Sequence, residues 1–417
     1  MLKKIPLTAV PLSSKELAIM VAKILTGQMI EGKDVSELEE DLATYLGVDK
    51  VLAFNAGRTA LYVALQALDL NPREEIIVPA YTCPVVFEVI LRLGLKPVPV
   101  DVNLETCNID PELIPNAITP RTKAMVIVHL FGRPCDMGRV AEVSEKFGLY
   151  IIEDAAQALG ATFKERKVGS FGDLAMFSFG IGKSITGGEG GAMAVNNPEL
   201  EEPISRIYAQ LSRPSLKWAF HVARNMIGMK TFSNPHTYAL IQNYIKQTVE
   251  KADERIVDNC FSLLEEARVI HSTIQLAKMP SVSAVIISQQ LKKLDELNQK
   301  RITNANKLTI LLGNTNHRKV CLPKPNLAAK NTFTRYVVRV AKENQRFIIN
   351  ELLRYGIEVS RPYHQILGLL RKLSTQKHPH TEELSSSLIA LPSHPLLKES
   401  EIQTMYKAFC SAISNGK

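Results

Sequence analysis

The chain has 417 residues, of which 46% are hydrophobic and 22% charged, and its mean hydropathy is near zero. These values exclude a disordered or fibrous polymer and describe a folded chain long enough for a large domain and a smaller one. The formal charge of +8 comes from Lys and Arg scattered along the sequence, so no nucleic-acid partner is expected and an anionic small substrate explains the charge as well.

The six cysteines, Cys83, Cys107, Cys135, Cys260, Cys321 and Cys410, show no CxxC pairing, so neither a disulfide framework nor a metal site is expected. The start of the chain lacks a signal-peptide pattern, and no run approaches the roughly 18 apolar residues of a membrane span. A cytoplasmic location follows as the expectation. In chain order, the pattern is helical from about Leu17, and Val35, Leu38, Leu42 and Leu46 give a short amphipathic helix. Short apolar runs then alternate with helices. The runs are Val51 to Phe54, Glu75 to Val78, Pro97 to Asp101, Ala124 to Val128, Leu149 to Glu153, Ala175 to Phe179 and Gly191 to Val195, with helices such as Ala60 to Leu68 and Val85 to Leu93. Such alternation predicts an α/β domain built on a mostly parallel sheet of seven strands.

From Glu199 to about Lys278 the chain reads as helical around an irregular middle at Pro214 and Pro235, without strand signal. A helix from Val285 to Arg301 follows. Beyond Ile310 come a strand at Tyr336 to Val340, a helix from Asn344 to Tyr355 stopped by Gly356, and a last helix from Glu399. The expected division is a large domain over 1–300, with a helical insertion at 200–278, and a small α/β domain over 301–417.

Ligands of such sheets bind where strands end and helices begin, and three junctions carry chemistry. Asn55, Ala56, Gly57, Arg58 and Thr59 lie between a strand and a helix. Free N–H groups there suit a phosphate, although a tight turn needs glycine in any case. Glu153 and Asp154 end the Leu149 strand, as a helix cap or as a buried counter-ion. Lys183 sits between the Ala175 strand and the run Gly187, Gly188, Glu189, Gly190, Gly191. Taken singly it could be a surface lysine. A cofactor aldehyde needs a lysine amine, an acid near a ring nitrogen and a phosphate cradle, and all three types are present.

The residues themselves resemble the DegT/DnrJ/EryC1/StrS family, sugar aminotransferases of fold type I. AGRTALYVAL at 56–65 resembles the family's SGTAALHLAL segment. Further matches are VPAYTCPVVFEVILRLGLKPVPVD at 78–101, TPRTKAMVIVHLFGRPCDM at 119–137, IEDAAQALGA at 152–161 and VGSFGDLAMFSFGIGKSITGGEGGA at 168–192. A set this dense, in order and at family spacing, is far more specific than any single motif. The resemblance implies the aspartate aminotransferase-like fold of pyridoxal 5'-phosphate (PLP) enzymes. Lys183 would form the Schiff base and Asp154 would pair with the pyridinium nitrogen. Gln157 would lie near the phenolic oxygen, and Gly57, Arg58 and Ser178 would contact the phosphate. Lys278 aligns with a residue that touches the phosphate of the neighbouring subunit, which makes a homodimer the expected assembly.

The sequence departs from the family in three places. Cys83 stands where an aromatic residue usually stacks on the cofactor, leaving Tyr81 as a substitute. Arg58 replaces a small hydroxyl residue. The stretch between Glu189 and Lys278 is long for the family, and within it Trp218, Phe220, Val222, Met226 and Ile227 are mixed with Lys217, His221, Arg224 and Lys230. Residues 217–230 could therefore meet a membrane surface, pack on a partner subunit or cover the site. His129 and His364, the latter in a run that resembles the family's substrate loop, are either substrate contacts or structural residues. The implied reaction carries an amino group from an amino acid, with L-glutamate the expected donor, to a keto sugar, commonly nucleotide-linked. A sugar dehydratase would lack Lys183, and a non-catalytic regulatory protein would not need Lys183, Asp154 and the phosphate loop together.

Overall fold

Strand polar groups buried on both faces of a sheet can be satisfied only by neighbouring strands, and the seven apolar runs pair in this way. The computed structural model describes residues 4–232, 274–313, 320–324 and 326–415. Its main sheet contains β1 (Lys50–Phe54), β2 (Glu75–Pro79), β3 (Lys96–Val100), β4 (Thr122–Val128), β5 (Tyr150–Asp154), β6 (Leu174–Ser178) and β7 (Gly191–Val195). The order is β1-β7-β6-β5-β4-β2-β3. Only β7 runs against its neighbours, antiparallel to both β1 and β6; the other pairs are parallel.

The described helices are α1 (Ser14–Leu25), α2 (Asp34–Leu46), α3 (Gly57–Ala67), α4 (Pro84–Arg92), α5 (Met137–Phe147), α6 (Glu201–Gln210) and α7 (Leu216–Phe232). They continue with α8 (Ser281–Leu291), α9 (Leu294–Gly313), α10 (Gln345–Arg354), α11 (Ile366–Leu373), α12 (Pro379–Ser387) and α13 (Glu399–Asn415). The first begins with a capping box, in which Ser13 accepts from the Glu16 N–H and Glu16 accepts from the Ser13 N–H.

Alternate residues of each strand point to opposite faces. Leu174 and Met176 of β6 join α3 and α4 in one core, with Leu61, Leu65, Phe87 and Ile90. Ala175 and Phe177 face α2, α8 and the start of α9 on the other side, against Leu38, Leu42, Ala284 and Leu294. The small domain packs a three-stranded sheet, β8 (Val320–Cys321), β9 (Tyr336–Val340) and β10 (Leu388–Leu391), against α10 and α13 through Tyr336, Val338, Leu352 and Phe409.

Two expectations change. The helix expected over Val285 to Arg301 is two helices, broken at Lys292 and Lys293, and the second runs on to Gly313. No proline or glycine causes the break. It lets α8 stay on the large sheet while α9 buries Leu294 and Leu297 in the large domain and Ala305, Leu308 and Leu312 in the small one. The division at residue 300 also needs correction at the N-terminus. Ile5 pairs with Ile357 and lies in the small-domain core, although it precedes the large domain in sequence.

Candidate functional site

Because β1, β2, β4, β5 and β6 run in one direction, their C-terminal ends share an edge, and Asn55, Tyr81, His129, Asp154 and Ser178 lie at or just beyond those ends. At the β1 end, Ala56 is extended (φ −157, ψ 154) and α3 has no side-chain cap at its N-terminus. The N–H groups of Thr59 and Ala60 bond the Ala56 carbonyl, which leaves those of Gly57 and Arg58 as the donor end of the helix. The helix start rests directly on β6 and β7. A Cβ on Gly57 would meet the Ser178 Cβ at 2.9 Å, and one on Gly191 would meet Ala56 C and Gly57 N at 2.4 Å. Gly57 and Ser178 are thus side by side. The half-buried Arg58 makes no ion pair among the described residues, and Thr59 is fixed by a 2.7 Å bond to Asn55.

At the β5 end, two neighbouring carboxylates have opposite surroundings. Glu153 is fully buried and accepts from the N–H groups of Gly169, Phe171 and Gly172 and from His129. The Cys135 N–H donates to His129 Nδ1, which makes Nε2 the protonated nitrogen facing Glu153. Burial pulls the Glu153 pKa upward, but the His129 bond and the glycine N–H groups outweigh it and hold the group below the ordinary range. Asp154 accepts one backbone N–H, from Ala156 at 3.0 Å. Burial pushes its pKa up, opposed by that bond and by the charges of Lys183 and His129. His129 is therefore structural: it is fully buried, bonded to Glu153, and its N–H holds the Asp154 carbonyl at 3.0 Å.

The Lys183 loop is clamped on both sides. Gln290 accepts from the Thr186 N–H at 3.1 Å and donates to the Thr186 carbonyl at 2.8 Å, and the Thr186 hydroxyl donates to the Phe179 carbonyl. Arg301 donates to the Ser184 carbonyl at 2.5 Å. Gly188, at φ +80, carries α7 directly above it, since a Cβ there would meet Met226 at 2.9 Å and Val222 at 3.0 Å. Val222 and Met226 of this segment thus pack directly on the glycine run. The helix buries Ala219, Val222, Ala223 and Met226 against α1 and α8, and leaves Phe220 and Ile227 exposed. The rest of the expected insertion, 233–273, lies outside the described residues, as does Cys260.

Gln157 links the two domains. Its Oε1 accepts from the Phe131 N–H at 3.1 Å and its Nε2 donates to the Tyr363 hydroxyl at 2.7 Å. The Tyr363 ring stacks on Phe131 at 6.2 Å and meets Tyr81 edge-on at 6.0 Å. The Tyr81 hydroxyl donates to the Pro362 carbonyl, which ties Tyr81 to the small domain. Cys83 sits at the same sheet edge as the residue before α4. The backbone of Lys278 bridges Phe54 at the end of β1, while its ammonium lies over the Tyr208 ring and acts on Glu39. The His364 ring turns back onto the Arg361 carbonyl at 3.0 Å. Sequence reasoning missed Gln290, Arg301 and the role of Tyr363. Only the last left a trace, in the run Arg361 to His364.

No group of His, Cys, Asp and Glu among the described residues could hold a metal ion, and no described helix is long and apolar enough to cross a membrane. The profile of the DegT/DnrJ/EryC1/StrS aminotransferase family matches residues 12–410. The chain is 30% identical to GDP-perosamine synthase of Caulobacter vibrioides over 385 residues, 90% of this chain and 89% of that one. It is 27% identical to dTDP-4-dehydro-2,3,6-trideoxy-D-glucose 4-aminotransferase of Saccharopolyspora spinosa over 410 residues, 97% and 96% of the two chains. The solved aminotransferase from Psychrobacter cryohalolentis shares the fold with a TM-score of 0.79 at 24% identity, covering 99% of this chain and 100% of that one.

Proposed function

Because the chain belongs to the DegT/DnrJ/EryC1/StrS aminotransferase family, we propose that it moves the amino group of an amino acid to the ketone of a nucleotide-linked sugar, with PLP held at Lys183. The acceptor class rests on the sugar nucleotides in the names of the relatives, and L-glutamate is the donor to test first. A homodimer is the assembly to expect.

The chain's own residues fit the cofactor. The observation that carries the reading is Asp154, a buried carboxylate with one backbone donor, on which Lys183 exerts the largest opposing charge. A protonated ring nitrogen would give it the cationic partner that its burial demands. The uncapped start of α3, with Ser178 beside Gly57, is a donor set suited to a dianionic phosphate. Arg58 adds a charge-assisted contact when it turns to that phosphate. When bound, PLP supplies the electron sink that lets a Cα–H bond beside the amine be broken. Asp154 would keep the ring nitrogen protonated, and Gln157, fixed by Phe131 and Tyr363, would face the phenolic oxygen. Lys183, on its clamped loop, takes the proton from one carbon and returns it to another.

The test is absorption of the purified protein with PLP. Wild type should develop a near-visible band that moves on adding L-glutamate, and Lys183→Ala should lose both the band and the turnover. A wild-type spectrum that no amino acid changes would overturn the reading.

A further inference from the structure

The parallel strands β2, β3 and β4 begin at the sheet edge opposite the one that carries Asp154 and Ser178. A pocket of about 370 Å³ lies at that edge, within the size range of small-molecule sites. Its apolar wall combines Leu91 near the end of α4, Leu95 just before β3 and Leu373 at the end of α11. Leu91 is 43% exposed, whereas Leu95 is buried. A single exposed leucine is ordinary, but three leucines lining one hollow give water there few hydrogen-bond partners.

The rest of the wall is cationic, formed by Arg73, Lys96 and Arg121. Two carboxylates lie close by. Glu75, 2% exposed, takes Lys96 at 3.1 Å and Arg121 at 3.0 Å, and Glu74 pairs with Lys123 at 3.9 Å. Arg73 makes no ion pair among the described residues. Its backbone is held at φ +69, in the left-handed region, and its N–H donates to the Gly94 carbonyl at 2.9 Å. Three cations thus line the hollow against the one buried carboxylate that Lys96 and Arg121 share. The guanidinium forks of Arg73 and Arg121 suit a carboxylate or a phosphate. No aromatic, amide or hydroxyl side chain among the described residues lines the pocket, so nothing there reads the base or hydroxyls of a sugar nucleotide. We propose that this pocket binds an aliphatic anion, its carbon chain on Leu91, Leu95 and Leu373 and its carboxylate or phosphate on Arg73 and Arg121. The site is separate from the one around Lys183 and does not depend on the reaction assigned to it.

Leu373 comes from a distant part of the chain, so the pocket exists only in the folded protein and its ligand should raise the Tm. Octanoate and octyl phosphate are the probes, added to the PLP-loaded full chain and followed by thermal melts and titration calorimetry. At least one should bind saturably, one per chain. Its Kd should rise about tenfold or more in Arg73→Gln, as for loss of a charge-assisted bond, and at least as much in Leu91→Asp, which places an anion in the hollow. Lys123→Gln, outside the pocket, should bind as wild type does, and the PLP spectrum should be the same in all three. Failure of both probes to bind wild type, or wild-type affinity in both Arg73→Gln and Leu91→Asp, would overturn the site. Inorganic phosphate binding as tightly as octyl phosphate would remove the apolar half of the proposal, and octanol binding as tightly as octanoate the anionic half. Sedimentation with phosphatidylglycerol vesicles that is lost in Arg73→Gln, with no binding of the free probes, would replace the free ligand by a membrane surface.

Discussion

Gly191→Ala isolates the seat of the proposed phosphate cradle. The added Cβ would lie 2.4 Å from Ala56 C and from Gly57 N, whereas ordinary contact begins at 3.4 Å. The obstacle is backbone, so the start of α3 must retreat by about 1 Å. Overpacking of this kind costs about 1–3 kcal/mol, and a displacement of about 1 Å in a positioned donor set can lower turnover on the order of a hundredfold. Gly180→Ala is the control, because its Cβ would meet only the Ser178 Oγ, at 3.6 Å. Urea unfolding and PLP titration by absorbance should separate the two: Gly191→Ala loses stability and cofactor affinity together, Gly180→Ala neither. A Gly191→Ala protein with wild-type PLP affinity and stability within about 0.5 kcal/mol would refute the claim that contact with β7 positions the helix start.

Asp154→Asn should have opposite effects in the two states. Its raised pKa means that the charged form costs stability in the cofactor-free protein as pH rises through the ordinary 3.8 toward the folded value. Cofactor-free Asp154→Asn should therefore be more stable at pH 7, by about 1–3 kcal/mol, while binding PLP at least about tenfold more weakly. For Glu153 the sign reverses. Its pKa is lowered, so its contribution is complete above the ordinary 4.5 and is lost as pH falls through the folded value. Acid unfolding should be steep in wild type and shallow in Glu153→Gln, which should also be less stable at pH 7 by about 3 kcal/mol. Tyr363→Phe leaves Gln157 Nε2 without its 2.7 Å acceptor and should lower stability by about 1–2 kcal/mol in thermal melts. An unchanged Tm would show that the bond does not couple the domains.

Much of the fold was legible in the sequence because it is written locally. All seven strands of the main sheet lie within about two residues of the apolar runs that announced them. Gly57, Asp154, Ser178 and Lys183 stand out because each lies at or just beyond a strand end, and a strand end is visible in a window of a few residues. Periodicity reports which face of an element is apolar, but not what that face meets. The reversal of β7, the break between α8 and α9 and the return of Ile5 to the small domain each depend on a distant partner. The same holds for the side chains that hold the site. Tyr363 reaches Gln157 across 206 residues of sequence and Arg301 reaches Ser184 across 117. By itself the sequence determined the strands and the candidate residues at their ends. Only the tertiary structure decided that Arg301 is buried and holds the Ser184 carbonyl of the Lys183 loop, because burial and long-range bonds belong to the packed chain and not to any segment of it.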